Sequence, residues 1–165
     1  MNRDKETAAR IAISIGANLG DATHAVHQAI QALNNHGALS DVTASSLYQS
    51  APIESSGPDY INAVVTATTD LSPEQTLKAL LDIETMAGRE RPFKNAPRTL
   101  DLDLLLYDNV QMDTPTLILP HPRMHLRAFV LIPLAEIAPD AVIPGHGCIA
   151  ELLDRTKHQT VAVVS

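Results

Sequence analysis

Asp101 and Asp103 are separated by one residue within Pro97-Arg98-Thr99-Leu100-Asp101-Leu102-Asp103, and Leu104-Leu105-Leu106-Tyr107 follows. Apolar and acidic residues alternate with a period of two, the pattern of a strand. On a strand, residues two apart share a face, with Cα atoms roughly 6.5–7 Å apart. Two ionised carboxylates converging on one point repel each other and raise each other's pKa unless a cation lies between them. Oxygen donors without a nearby Cys suit a hard ion, Mg²⁺ or Mn²⁺. Arg98 stands just before the pair, positioned to hold an anion carried by such a metal. The alternative is an edge strand with a solvated acidic face.

Other residues with chemical potential flank this strand. Arg89, Arg91, Lys94 and Arg98 crowd the ten positions 89–98 of an otherwise acidic chain. Arginines opposite a carboxylate-bound cation form a clamp for a polyphosphate, whereas loop charges paired with Glu84 and Glu90 are the alternative. Tyr60 and Asn62 share one strand face. An Asn amide offers a donor and an acceptor together, suited to the edge of a heterocycle or to nearby backbone. His121 and His125 have helical spacing, but Pro122 follows His121 and no third ligand is evident. A polar substrate contact or a structural role is therefore favoured over zinc. Arg123 and Arg127 add positive charge.

The elements that position these residues are legible in order. Residues 1–8 form a loose lead-in. Residues 11–15 read as a strand ended by Gly16-Ala17-Asn18-Leu19-Gly20, a tight turn without the spacing of a phosphate loop. Asp21 caps a helix reaching about Asn35, with Val26, Ile30 and Leu33 on its apolar stripe. Residues 42–48 and 59–67 read as strands paired in a hairpin across a loop rich in Pro, Ser and Gly. Ser72-Pro73-Glu74-Gln75 is a helix start. Leu77, Leu80, Leu81 and Ile83 bury one side of that helix, and Gly88 stops it. After the acidic strand, residues 117–122 are extended, 128–137 helical, 149–153 a short helix, and 160–164 a last strand. The order β-α-β-β-α-β implies a ferredoxin-like α+β sandwich, with a mainly antiparallel sheet and added C-terminal elements.

A chain of 165 residues that is 45% apolar, with only 3% aromatic residues, predicts one domain, 1–165, with an aliphatic core. A net charge of −7 argues against a nucleic-acid or anionic-membrane surface. The single Cys148 excludes an internal disulfide and a Cys-based zinc site. The charged N-terminus and the short apolar run 11–15 predict a protein of the cytoplasm without a signal peptide or membrane span. No coiled coil is evident, and a monomer is expected.

The sequence resembles the 6-hydroxymethyl-7,8-dihydropterin pyrophosphokinase family. The residues that carry the resemblance are 97–103 above all, then Gly16-Ala17-Asn18-Leu19-Gly20, Asp59-Tyr60-x-Asn62 and Glu84-x-x-x-Gly88-Arg89-x-Arg91. Pro120-His121, Arg127-x-Phe129 and Pro133-Leu134-x-Glu136-Ile137-Ala138-Pro139 complete it. The resemblance implies transfer of pyrophosphate from ATP to the pterin hydroxymethyl oxygen, releasing AMP, in folate biosynthesis. It implies two Mg²⁺ on Asp101 and Asp103, and Arg89 and Arg98 as catalytic phosphate contacts. Glu84, Arg91, His121 and Arg127 are implied as further ATP contacts, with Arg91 on a closing loop. Ser50, Ile53, Tyr60, Asn62 and Phe129 are implied around the pterin. Many members carry a Trp where this chain has Asn95. The loop here is one residue shorter and contains Pro92, and Phe93 is the candidate substitute for the lid. Two other classes share some of these features. One is a Mg²⁺-dependent nucleotide transferase or hydrolase with another acceptor; the other is a non-catalytic ferredoxin-like ligand-binding module.

Overall fold

The computed structural model describes residues 8–18, 20–51, 58–88 and 100–164. Its centre is an antiparallel sheet built on β1 (Ala9–Ala17), β2 (Leu39–Ala44), β3 (Tyr48–Ser50), β4 (Tyr60–Thr69), β5 (Asp101–Tyr107) and β10 (Val161–Val163). The spatial order is β10-β3-β4-β1-β5, with β2 also paired to β4. Two small hairpins, β6 (Met112–Asp113) with β7 (Ile118–Leu119) and β8 (Val142–Ile143) with β9 (Gly147–Cys148), decorate the C-terminal part. The helices are α1 (Ala22–Asn34), α2 (Pro73–Gly88), α3 (Ala128–Ile137) and α4 (Ile149–Thr156), with a 3-10 turn at Met124–Leu126.

Alternation along the strands divides the core in two. Ile11, Ile13 and Ile15 of β1, Ala63 and Val65 of β4, and Leu102 and Leu104 of β5 face α1 and α2, meeting Val26, Leu33 and Leu80. On the opposite face Ala12, Val64 and Leu105 pack against Val130, Leu131 and Leu134 of α3 and Leu152 of α4. A register shift between Ala12 and Ile13 accommodates Leu104 and Leu105, both buried. The C-terminal layer covers only part of its face; the rest is open.

Local signals set the helix starts. The Asp21 carboxylate accepts from the His24 N–H at 3.1 Å. At α2, the Gln75 N–H donates to Ser72 Oγ at 3.1 Å while the Ser72 N–H donates to Gln75 Oε1 at 2.9 Å, a reciprocal capping box.

Three expectations change. The strand expected over 42–48 is interrupted: β2 ends at Ala44 and β3 begins at Tyr48. Ser45 Oγ accepts from the Val64 N–H, and Glu136 accepts from the Ser46 N–H, so side chains replace ladder bonds there. β1 runs two residues past Ile15, because Gly16 and Ala17 pair with Asn62 and Ile61; the turn comes at Gly20, with φ +61°. Leu81, expected to be buried, is 48% exposed. The buried stripe of α2 runs through Thr76, Leu80, Ile83 and Ala87, and Leu81 lies about 130° around the helix from it, at about 100° per residue.

Candidate active site

The open part of the sheet forms the floor of a cleft of about 860 Å³. Register places its residues. Asp101 stands opposite Gly16, and Gly16 in turn opposite Asn62. Asp103 stands opposite Ser14, and Tyr60 opposite Ser50. Directly paired residues share a face, so Asp101, Asp103, Ser14, Gly16, Asn62, Tyr60 and Ser50 all point one way, and all line the cleft. Neighbouring strands are about 4.8 Å apart, so two strand spacings put roughly 10 Å between Asp101 and Asn62. Gly16 lies between them. A Cβ there would come within 3.5 Å of Asn62 Oδ1, so glycine keeps that floor low.

Both carboxylates are exposed, while Leu102 between them is 3% exposed. The Leu102 N–H, on the outer edge of the sheet, donates to Glu84 Oε2 at 2.6 Å. Glu84 thus pins the strand between the two aspartates. Among the described residues no group of three or more His, Cys, Asp or Glu is placed to hold a metal. Two carboxylates in a cleft fit Mg²⁺, which takes one or two protein carboxylates and completes its shell with water and substrate phosphates.

The far side of the cleft is amide and aromatic. Asn62 is 4% exposed, and its Nδ2 donates to the buried Ser50 Oγ at 2.7 Å. The bond orients the amide, leaving one N–H and Oδ1 uncommitted by it. Tyr60 and Phe129 contribute rings, and the Arg127 guanidinium lies 5.5 Å from the Phe129 ring centroid.

His121 belongs to a segment running beside β5. Its N–H donates to the Leu105 carbonyl at 2.9 Å, after a cis Leu119–Pro120 peptide. His121 Nδ1 accepts from the Arg123 N–H at 3.2 Å, so the neutral ring carries its proton on Nε2. Burial pushes the imidazole pKa below its usual value; the Asp103 charge opposes this, and Arg127 and Arg123 reinforce it. His125, spaced for a common ligand role, points elsewhere: its ring stacks on His146 at 3.7 Å.

Sheet register and the α3 start therefore bring together Ser50, Tyr60, Asn62, Asp101, Asp103, Arg127 and Phe129. Glu84 is at the strand edge, and His121 is near Asp103. Ile53, Arg89, Arg91 and Arg98, with Phe93 and Asn95, lie outside the described residues. Sequence reasoning missed Ser14, Leu126, Gln159, Thr160 and Val161 in the cleft wall, and noted Arg123 only as charge. Ser14 was findable from strand parity with Gly16; nothing local marks Gln159.

Comparison with known proteins identifies the family. The family model described as 7,8-dihydro-6-hydroxymethylpterin-pyrophosphokinase matches residues 12–139. A Haemophilus influenzae 2-amino-4-hydroxy-6-hydroxymethyldihydropteridine pyrophosphokinase is 42% identical over 142 residues, covering 86% of this chain and 89% of that protein. The Pseudomonas aeruginosa protein of the same name is 39% identical over 145 residues, covering 87% and 90%. Among solved structures, the Plasmodium falciparum wild-type HPPK-DHPS superposes with a TM-score of 0.70 at 12% identity. That match covers 90% of this chain but only 44% of the Plasmodium chain, and it concerns the fold. With the match extending over most of its length, the chain belongs to the 7,8-dihydro-6-hydroxymethylpterin-pyrophosphokinase family of transferase enzymes.

Proposed function

We propose that the chain transfers the pyrophosphoryl group of ATP to the hydroxymethyl oxygen of 6-hydroxymethyl-7,8-dihydropterin, releasing AMP, as a step of folate biosynthesis. Family membership supports the reaction. The observation that carries it into this chain is the cross-strand row Asp101–Gly16–Asn62. It sets a carboxylate pair and a heterocycle-reading amide on one floor, about two strand spacings apart. In this proposal the hydroxymethyl group and the phosphate it receives lie between them.

Asp101 and Asp103 would hold Mg²⁺, two ions in this proposal, along the triphosphate. Bound there, Mg²⁺ supplies charge neutralisation on the phosphates and acidifies the attacking hydroxyl. Phosphoryl transfer depends mainly on positioning and electrostatics, so no nucleophilic Ser or Cys is required. Asn62, steadied by Ser50, reads the pterin's amide-like edge, and Tyr60 and Phe129 flank its flat face, with Ile53 assigned beside them by the family pattern. His121 donates Nε2–H to a nucleotide oxygen, and Arg127 pairs with phosphate charge. Arg89, Arg91 and Arg98 are assigned to the phosphates by residue type and family pattern, Arg89 and Arg98 as catalytic. Glu84 is assigned to the nucleotide's vicinity through the strand it pins.

The finer topology belongs to the same proposal. If β2 and β3 are counted as one interrupted strand, the order is fourth-first-third-second, which supports a ferredoxin-like βαββαβ arrangement. One sheet shared by both core clusters supports a single domain. No described helix is long and apolar enough to cross a membrane. A monomer in the cytoplasm, with ATP and the pterin as its partners, accords with the charge of −7 and the single cysteine.

The test is AMP release from Mg-ATP, with and without the pterin, for wild type and Asp101→Ala. Pterin-dependent AMP that is lost in the variant supports the proposal. AMP independent of pterin indicates a nucleotide enzyme with another acceptor. Absence of AMP from folded protein indicates a binding module.

A further inference from the structure

Arg127 occupies the position before the first residue of α3, with φ −121° and ψ 110°, and its side chain makes no cap to the helix. That position ordinarily carries Ser, Thr, Asp or Asn, whose oxygen accepts one of the helix's unpaired N–H groups. A guanidinium has only donors and cannot serve. Here the acceptor comes from Gln159, 31 residues beyond the Ala128 N–H it caps. Gln159 Oε1 accepts from the Ala128 N–H at 2.8 Å, and Gln159 Nε2 donates to the Leu126 carbonyl at 2.8 Å. One amide thus grips the backbone on both sides of Arg127. Gln159 is itself held, its N–H donating to the carbonyl of buried Thr156 at 2.9 Å. It lies beyond the family-matched residues 12–139.

We infer that Gln159 is a positioning residue for the ATP contact at Arg127. By supplying the cap that Arg127 cannot, it satisfies the helix start and fixes the backbone from which the guanidinium reaches into the cleft. The inference rests on the reading of Arg127 as a phosphate contact.

A double-mutant cycle tests it, with Gln159→Leu, Arg127→Ala and the double variant assayed for the KM of Mg-ATP and of the pterin, folding being checked by circular dichroism. Gln159→Leu is expected to raise the ATP KM about five- to tenfold, the scale of one net hydrogen bond. The pterin KM should rise by a clearly smaller factor, since Phe129 follows Ala128 on the same helix start, and the substitution should add nothing to the ATP KM in the Arg127→Ala background. Gln159→Glu keeps the acceptor for Ala128 and should recover part of the loss; it takes the place of Gln159→Leu in the cycle if the latter does not fold. Equal losses in both backgrounds, or a matching rise in the pterin KM, would overturn the inference while leaving Arg127 as an ATP contact. An Arg127→Ala enzyme with an unaltered ATP KM would instead overturn the reading of Arg127 itself, and the inference with it.

Discussion

The Glu84 carboxylate accepts the Leu102 N–H at 2.6 Å, so an acidic side chain from α2 ties down the strand between Asp101 and Asp103. Glu84→Ala is expected to lower stability by about 1–2 kcal/mol in urea unfolding, the scale of a charge-assisted hydrogen bond at a partly wet edge. Glu84→Gln keeps an acceptor and should lose less than half of that. A raised ATP KM in Glu84→Gln at unchanged stability would show instead that the carboxylate meets the nucleotide directly.

Asp101→Ala and Asp103→Ala should each reduce kcat for AMP release by about a hundredfold or more, as loss of a metal-held charge cluster does. The Asp103 side chain is exposed, so Asp103→Ala should change thermal stability little. Pterin binding by calorimetry should survive, because the amide and aromatic side of the cleft is two strands away.

Asn62→Ala should weaken pterin binding by about 1–3 kcal/mol. Ser50→Ala leaves a buried Asn62 N–H without its acceptor and should cost about 1–2 kcal/mol of stability. Its pterin affinity should fall less than that of Asn62→Ala. Calorimetry and urea unfolding on the two variants separate reading from orienting.

His121 and His125 are both held below the usual imidazole pKa, chiefly by burial. Below about pH 6.5, where the unfolded chain takes up protons first, stability must fall with falling pH until the depressed native values are passed. The contribution is fully present above pH 6.5. Glu136 adds a separate loss at lower pH. Burial pushes its carboxyl pKa up, but hydrogen bonds from Tyr48 and Ser46 outweigh this and hold it below the ordinary value. Urea unfolding from pH 7.5 to 5 should show a positive slope with pH that is shallower in His125→Asn; an identical slope would remove His125 from the account.

Tyr48 donates to Glu136 at 2.5 Å; burial first, and then Glu136, push its phenol pKa to about 12. Tyr48→Phe should destabilise by about 1–2 kcal/mol, since it breaks a bond to a charged acceptor. Far-ultraviolet circular dichroism with urea unfolding measures the change.

Much of this site was legible because its signals are local. Period-two alternation put Asp101 and Asp103 on one face and Leu102 and Leu104 on the other, and the sheet has that arrangement. Ser72 with Gln75, and Asp21, marked helix starts that the hydrogen bonds bear out. What escaped was decided over long separations. The break after Ala44 depends on Glu136, about ninety residues away, and local propensity sees only a continuous Val-Thr-Ala run. Gln159 carries no mark in its own neighbourhood, because its partners are backbone groups at 126 and 128. Leu81 looked buried because four apolar residues were assigned to one stripe, whereas Thr76 helps define the covered side of α2.

The alternation of β5 has one more consequence. Its odd positions 101 and 103 face the cleft, while its even positions 102 and 104 face the helices. The two sets are separable in design: the cleft-facing side of this strand can be altered with far less cost to the packed side than a change at 102 or 104. A slip of one residue against β1 would do the reverse, sending both acids into hydrocarbon and two leucines into water. Such a misregistered isomer would forfeit core and chemistry together, so any catalytically competent molecule is already one whose strands are correctly aligned.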